Sequence, residues 1–122
     1  MGNNGTFKFK TDHTLEERQN MYSKILKKFP NRIPIICEKG PNSDLPFLKK
    51  TTYLVPNNLT VSQFQFIIRK SLDLNEDSAL FLGTSKGSIF IGDNNIMEVY
   101  NINKDKQDNF LYLYYVSEIV WG

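Results

Sequence analysis

The chain has little from which thiol or metal chemistry could be built. Its 122 residues hold one cysteine, Cys37, and one histidine, His13. An internal disulfide is therefore excluded, which fits a reducing compartment. A zinc site of Cys and His ligands would need more residues than exist. No apolar run approaches the length of a membrane-spanning helix, and no secretory signal is evident. A large charge of one sign is missing too: fifteen Lys and Arg oppose thirteen Asp and Glu, a net charge of +2. Bulk charge gives no reason to expect nucleic acid as a partner. Cys37 and His13 are the one nucleophile–base pair for thiol catalysis, and no third residue is placed to orient them. "GTSKGSIFIG" lacks the Lys-Ser/Thr ending of a phosphate loop. The expectation is a cytosolic, soluble protein without metal or cofactor that is not itself an enzyme.

What is present is an ordinary globular composition, 40% apolar and 23% charged, sized for one domain. Thr14 and Glu17 form a capping box, and Leu15, Tyr22, Ile25, Leu26 and Phe29 recur at helical spacing behind it. A helix is predicted over Leu15 to Lys28, closed by Pro30. The preceding "FKFKTDH" signals at most a short turn. "RIPIICE", Arg32 to Glu38, reads as a strand with two apolar faces: Ile33, Ile35 and Cys37 on one, Pro34 and Ile36 on the other. A second strand runs from Thr51 to Pro56. A second capping box, Thr60 with Gln63, opens a helix carrying Val61, Phe64, Ile67, Ile68 and Leu72 on its apolar positions. Further strands are read at Ser78 to Leu82 and Phe110 to Val116, with a short helix at Ile96 to Tyr100 between them. Ser88 to Ile91 is a weaker strand signal.

The order is helix, strand, strand, helix, strand, short helix, strand. Without its first helix this is the order of the ubiquitin-like β-grasp fold. The class expected is α+β, a four-stranded mixed sheet with an additional N-terminal helix or helices. One sheet face packs on the helix from Val61. Pro34 and Ile36 make the other face apolar, and the N-terminal helix is its natural cover. The organisation read is an extension over 1–14, the grasp domain over 15–116 and a tail over 117–122.

Three blocks then carry a resemblance: "FPNRIPIICEK", "SDLP…YLVP…LTVSQFQFIIRK" and "DNFLYLYYVSE…WG". On these the chain resembles the autophagy ubiquitin-like modifiers of the GABARAP type over roughly residues 15 to 122. The resemblance implies that Gly122 is the reactive residue. Its carboxylate would be activated, carried as a thioester on conjugating enzymes and joined to phosphatidylethanolamine. A glycine offers no side chain to obstruct attack, and six extended residues reach at most about 20 Å. Gly122 is either a mature end or a trimmed precursor. Implied partners are the activating and conjugating enzymes, a processing or delipidating cysteine protease, the lipid, and short motif peptides of receptors and autophagy proteins. The protein would then pass from cytoplasm to an autophagosomal or vesicle membrane.

The resemblance also implies docking of aromatic-x-x-aliphatic motifs. Strand Thr51 to Val55 would be a sheet edge, to which an extended peptide can add as a further strand. The aromatic pocket would be lined by Met21, Ile25, Pro34, Ile36, Leu54 and Phe110. The aliphatic pocket would be lined by Tyr53, Val55, Pro56, Leu59, Phe64 and Ile67. Strand alternation supports the split, since Leu54 faces one way and Tyr53 and Val55 the other. Arg32, Lys49 and Lys50 lie near the edge beside Thr52 and suit acid-flanked motifs. Phe66 is assigned with Ile33, Ile35, Ile68, Leu111 and Leu113 to plain core.

The chain departs from the family pattern at Met21, where an acid is common, and at Thr51, Thr52 and Ser71, where basic residues are usual. Phe47 interrupts an acidic stretch, and the loop from Gly83 to Asn95 is longer. Losing cations at Thr51 and Thr52 should weaken selection for upstream acids. "MGNNGT" matches a glycine-start acylation pattern through Gly2 and Thr6, but a flexible N-terminus is the preferred reading. The alternative function is an unconjugated adaptor in vesicle trafficking or microtubule binding, using a basic face of Lys8, Lys10, Lys24, Lys27 and Lys28.

Overall fold

The computed structural model describes residues 7–117 apart from 42 and 91. The tail beyond Ser117, with Gly122, and the start of the chain, with Gly2 and Thr6, lie outside the described residues. The elements are α1 (Lys8–Asp12), α2 (Leu15–Lys28), β1 (Arg32–Lys39), β2 (Thr52–Pro56), α3 (Val61–Leu72), β3 (Phe81–Gly83), β4 (Ile89–Phe90), α4 (Ile96–Asn103) and β5 (Leu111–Val116).

Both capping boxes form. Thr14 accepts from Glu17 N, Thr60 accepts from Gln63 N, and each N3 side chain reaches back to the cap nitrogen. These bonds satisfy helix-end donors that water would otherwise have to meet. The "FKFKTDH" segment does more than turn. It makes the helix α1, whose own cap residue Phe7 supplies no side-chain bond. Glu38 on β1 supplies it instead, its two carboxylate oxygens accepting from Lys8 N at 2.8 Å and Phe9 N at 3.0 Å.

The sheet has five strands in the order β2-β1-β5-β3-β4, one more than the four expected from the sequence. The extra strand is the second arm of a hairpin: Leu82 pairs with Phe90 and Gly83 with Ile89. Gly87 closes the turn at φ +90, a backbone angle that suits glycine. β1 runs antiparallel to β2 and parallel to β5. The third strand begins at Phe81, later than the sequence suggests, because side chains of α3 take the preceding carbonyls. Arg69 donates to Asn75 O and Ser78 O, and Gln65 donates to Leu80 O.

The sheet is buried on both faces, as the two apolar sides of β1 require. Ile33, Ile35 and Cys37 join Phe64, Ile68 and Leu72 of α3 in the larger core. Ile36 joins Phe7, Phe9, Phe110, Tyr112 and Tyr114 under the N-terminal helices. Phe7 stacks on Tyr114 with ring centroids 4.1 Å apart. An ion pair ties α2 to the loop before β5: Arg18 Nη1 lies 2.6 Å from Asp108 Oδ2, and both residues are buried.

Candidate functional site

β2 is an edge of the sheet, and its pairing with β1 fixes which backbone groups are left over. Cys37 N donates to Thr51 O at 2.8 Å. Antiparallel pairs alternate between bonded and non-bonded positions. The backbone of Tyr53 and Val55 therefore points at β1, and that of Thr52 and Leu54 points outward. Pro34, which has no N–H, sits opposite Leu54, at a position where no bond to β2 is missed. The outward direction of Leu54 O is visible in its partner: the Arg32 guanidinium donates to it at 3.1 Å.

The two side-chain faces of this edge differ as alternation requires. Leu54 is half-buried on the side of the N-terminal helices, whereas Tyr53 and Val55 belong to the larger core. Of the residues read as an aromatic pocket, Met21 and Ile25 are half-buried and pack against the cluster that holds Ile36 and Phe110. Ile36 and Phe110 have no exposed surface and can act only as the floor. Pro34 is buried as well. Met21, Ile25 and Leu54 are the members that present surface.

The other group divides similarly. Tyr53, Val55 and Phe64 are buried, and the Tyr53 and Phe64 rings meet edge to face at 5.5 Å. Pro56 is exposed, and Leu59 and Ile67 are half-buried. A shallow depression of about 400 Å³ lies here, lined by Leu59, Ser62, Gln63, Phe66 and Ile67. It is shifted outward along α3 from the lining read in the sequence. Phe66 is 59% exposed, so its assignment to the core does not hold. The periodicity of the helix carries the signal. Val61, Phe64, Ile68 and Leu72 are the buried positions of α3, and Phe66 lies about 200° round the axis from Phe64.

Positive groups flank the edge. Lys49 and Lys50 are exposed, and Lys50 Nζ stands 5.3 Å from the centre of the Tyr53 ring. Tyr53 in turn donates its hydroxyl to Lys50 O at 2.9 Å. The basic face of the adaptor reading is less open than its sequence suggests. Lys8 pairs with Asp12 at 2.5 Å and Lys10 with Asp105 at 2.6 Å; Lys24, Lys27 and Lys28 are exposed.

Cys37 is fully buried, and burial foremost, with Glu38 nearby, pushes its thiol far above the ordinary value. It is a packing residue of the core. His13 sits at the α1–α2 junction with its ring 4.8 Å from that of Phe9. Among the described residues no group of His, Cys, Asp and Glu is arranged to hold a metal ion. Nor is any described helix long and apolar enough to cross a membrane.

The chain has relatives among known proteins. Residues 17–122 match the family model described as "Autophagy protein Atg8 ubiquitin like". The chain is 41% identical over 120 residues to Autophagy-related protein 8 of Kluyveromyces lactis, covering 93% of this chain and 90% of that one. It is also 41% identical over 114 residues to Autophagy-related protein 8B of rice, Oryza sativa subsp. indica, covering 93% and 94%. The crystal structure of Trypanosoma brucei ATG8 superposes with a TM-score of 0.87 at 39% identity, covering 96% of this chain and 99% of that one. By sequence and by fold, the chain belongs to the Atg8 family of ubiquitin-like autophagy proteins.

Proposed function

We propose that the chain is a modifier joined through the Gly122 carboxylate to phosphatidylethanolamine, and that its β2 edge docks aromatic-x-x-aliphatic peptides. The observation that carries the docking is the open edge itself. The backbone of Thr52 and Leu54 faces outward between two unlike apolar surfaces, Met21, Ile25 and Leu54 on one side and Leu59 and Ile67 on the other. An extended peptide bonds to the backbone of such an edge and places alternate side chains on its two faces. Ile36, Phe110, Tyr53, Val55 and Phe64 support those surfaces from beneath. Arg32 and Lys50 favour carboxylates on the peptide.

Conjugation rests on family membership, the family match reaching Gly122. The amine of the lipid attacks the carbonyl of a Gly122 thioester, an amide forms, and the enzyme's thiol leaves. Catalysis belongs to the activating and conjugating enzymes, and a cysteine protease processes or releases the modifier. The product would move from cytoplasm to an autophagosomal or vesicle membrane.

Two measurements test this reading. Incubation with the conjugation enzymes, ATP and phosphatidylethanolamine liposomes should shift the full chain on a gel and leave a chain without Gly122 unshifted. Calorimetric titration with a motif peptide should show binding that Leu54→Arg abolishes. An unshifted full chain would remove the conjugation, and binding untouched by Leu54→Arg would remove the edge.

A further inference from the structure

One aromatic stands apart from both faces of the edge. Phe47, in the β1–β2 loop, is 77% exposed. The loop holding it is pinned on either side of that residue. The Tyr115 hydroxyl donates to Pro46 O at 2.8 Å and accepts from Leu48 N at 3.0 Å. Leu45 and Leu48 are buried in the larger core. Lys39 Nζ stands 4.0 Å from the centre of the Phe47 ring, a cation–π distance. A large apolar ring is thus presented to solvent on clamped backbone, so little loop entropy is left to lose when a partner covers it.

Its location gives it meaning. Lys39 pairs with Tyr115 at the end of β5, and Gly40 N donates to Tyr115 O at 2.8 Å. The approach there is close: a Cβ on Gly40 would come within 2.3 Å of Val116 Cγ1. Ser117 Oγ lies 3.3 Å from Asp44 Oδ1. Phe47 therefore stands beside the point where β5 ends and the chain continues towards Gly122. The cation shown at the ring is Lys39, and the flanking charges in sequence are Asp44 on one side and Lys49 and Lys50 on the other.

We propose that Phe47 and Lys39 form a docking anchor for the enzyme that takes the Gly122 carboxylate. This partner would present an apolar recess rimmed by acidic side chains. The proposal rests on the conjugation reading above. An enzyme holding the tail is already tethered to this side of the globule, so a modest anchor here raises its local concentration strongly. A rigid aromatic with a cation beside it is the kind of group that concentrates binding energy in an interface.

The test uses the full chain with its activating and conjugating enzymes, comparing wild type with Phe47→Ala and Lys39→Glu. Phe47 is exposed and Lys39 half-buried, so thermal denaturation checks that each variant keeps the fold. The expected result is a roughly tenfold loss in kcat/KM for thioester formation with Phe47→Ala, carried by KM. Lys39→Glu should show a similar loss. Affinity for a motif peptide should stay unchanged. Equal charging rates for wild type and Phe47→Ala overturn the proposal. So does a parallel loss of peptide affinity, which would assign Phe47 to the edge, or a self-association that Phe47→Ala dissolves, which would assign it to a second copy. A wild-type chain that binds peptide but is never charged overturns the conjugation reading, and this inference with it.

Discussion

Arg18 and Asp108 meet at 2.6 Å across a sequence separation of 90 residues. The same Asp108 oxygen also accepts the Tyr112 hydroxyl at 2.5 Å, and its second oxygen accepts Phe110 N at 2.9 Å. The ion pair therefore joins α2 to the start of the strand it covers. Removing one member strands the other charge away from water, which costs about 3 kcal/mol or more. Arg18→Ala or Asp108→Ala should lower the melting temperature by on the order of 10 °C. Replacing both by apolar residues of similar volume should restore much of that loss. Additive losses in the double variant, read by calorimetry, would mean the pair is not acting as a unit.

The N-terminal arm should respond to acid. Lys10 Nζ lies 2.6 Å from Asp105 Oδ2. Burial raises the Asp105 carboxyl, but the Lys10 ammonium and the backbone N–H groups of Gln107 and Asp108 outweigh it and hold the group below its ordinary 3.8. A carboxyl depressed in the folded state adds stability above the unfolded value, and that stability is lost as pH falls through the folded one. Because Lys10 and Asp105 are only partly buried, the effect is below about 1 kcal/mol. Backbone amide shifts of α1, followed by NMR from neutral pH down through 3.8 and below, should follow the Asp105 titration in wild type and lack that step in Asp105→Asn, which has no carboxyl to protonate. Identical profiles would show that the pair does not hold the arm.

Two phenylalanines two positions apart on α3 should behave oppositely. Phe64 has no exposed surface and touches Tyr53, whereas Phe66 is largely in solvent with Lys70 Nζ 5.7 Å from its ring centre. Urea denaturation of Phe64→Ala should show a loss of about 3–5 kcal/mol. Phe66→Ala should stay within about 0.5 kcal/mol of wild type. A comparable loss in both would contradict the placement of Phe66.

The Cys37 thiol should be inert in the folded protein. It is buried on the β1 face that packs on α3, and burial holds it protonated at neutral pH. Alkylation should be negligible until denaturant exposes it, then rapid. Stoichiometric labelling under native conditions, read by mass spectrometry, would refute this.

Much of the fold was legible because the local signals agree with one another. Thr14 and Thr60 start helices wherever pattern and cap coincide, and the two apolar faces of "RIPIICE" announce a sheet covered on both sides. The fifth strand showed only as a weak signal at Ser88 to Ile91, too faint to be counted in the sheet. Ile89 and Phe90 become a strand only through pairing with Leu82 and Gly83, and two residues carry too little periodicity to reveal that. The late start of β3 was hidden for a related reason, since Arg69 and Gln65 reach their carbonyls from another element. At the site, alternation along β2 separated Leu54 from Tyr53 and Val55 correctly. How deep each lining residue lies depends on what covers it, so Ile36, Phe110 and Phe64 were indistinguishable in the sequence from the residues that present surface. The clamp on Phe47 could not be foreseen either, because it is made by a hydroxyl 69 residues from Pro46.

The strand order carries a mechanical consequence. β5, the last strand, lies between β1 and β3, bonded parallel to one and antiparallel to the other. A pull at its end runs along the strand and loads the bonds of both ladders together as shear. They cannot open one at a time, as they would if the last strand hung at the margin. A globule moored by this end would keep its shape while the surface beneath it bends and drifts.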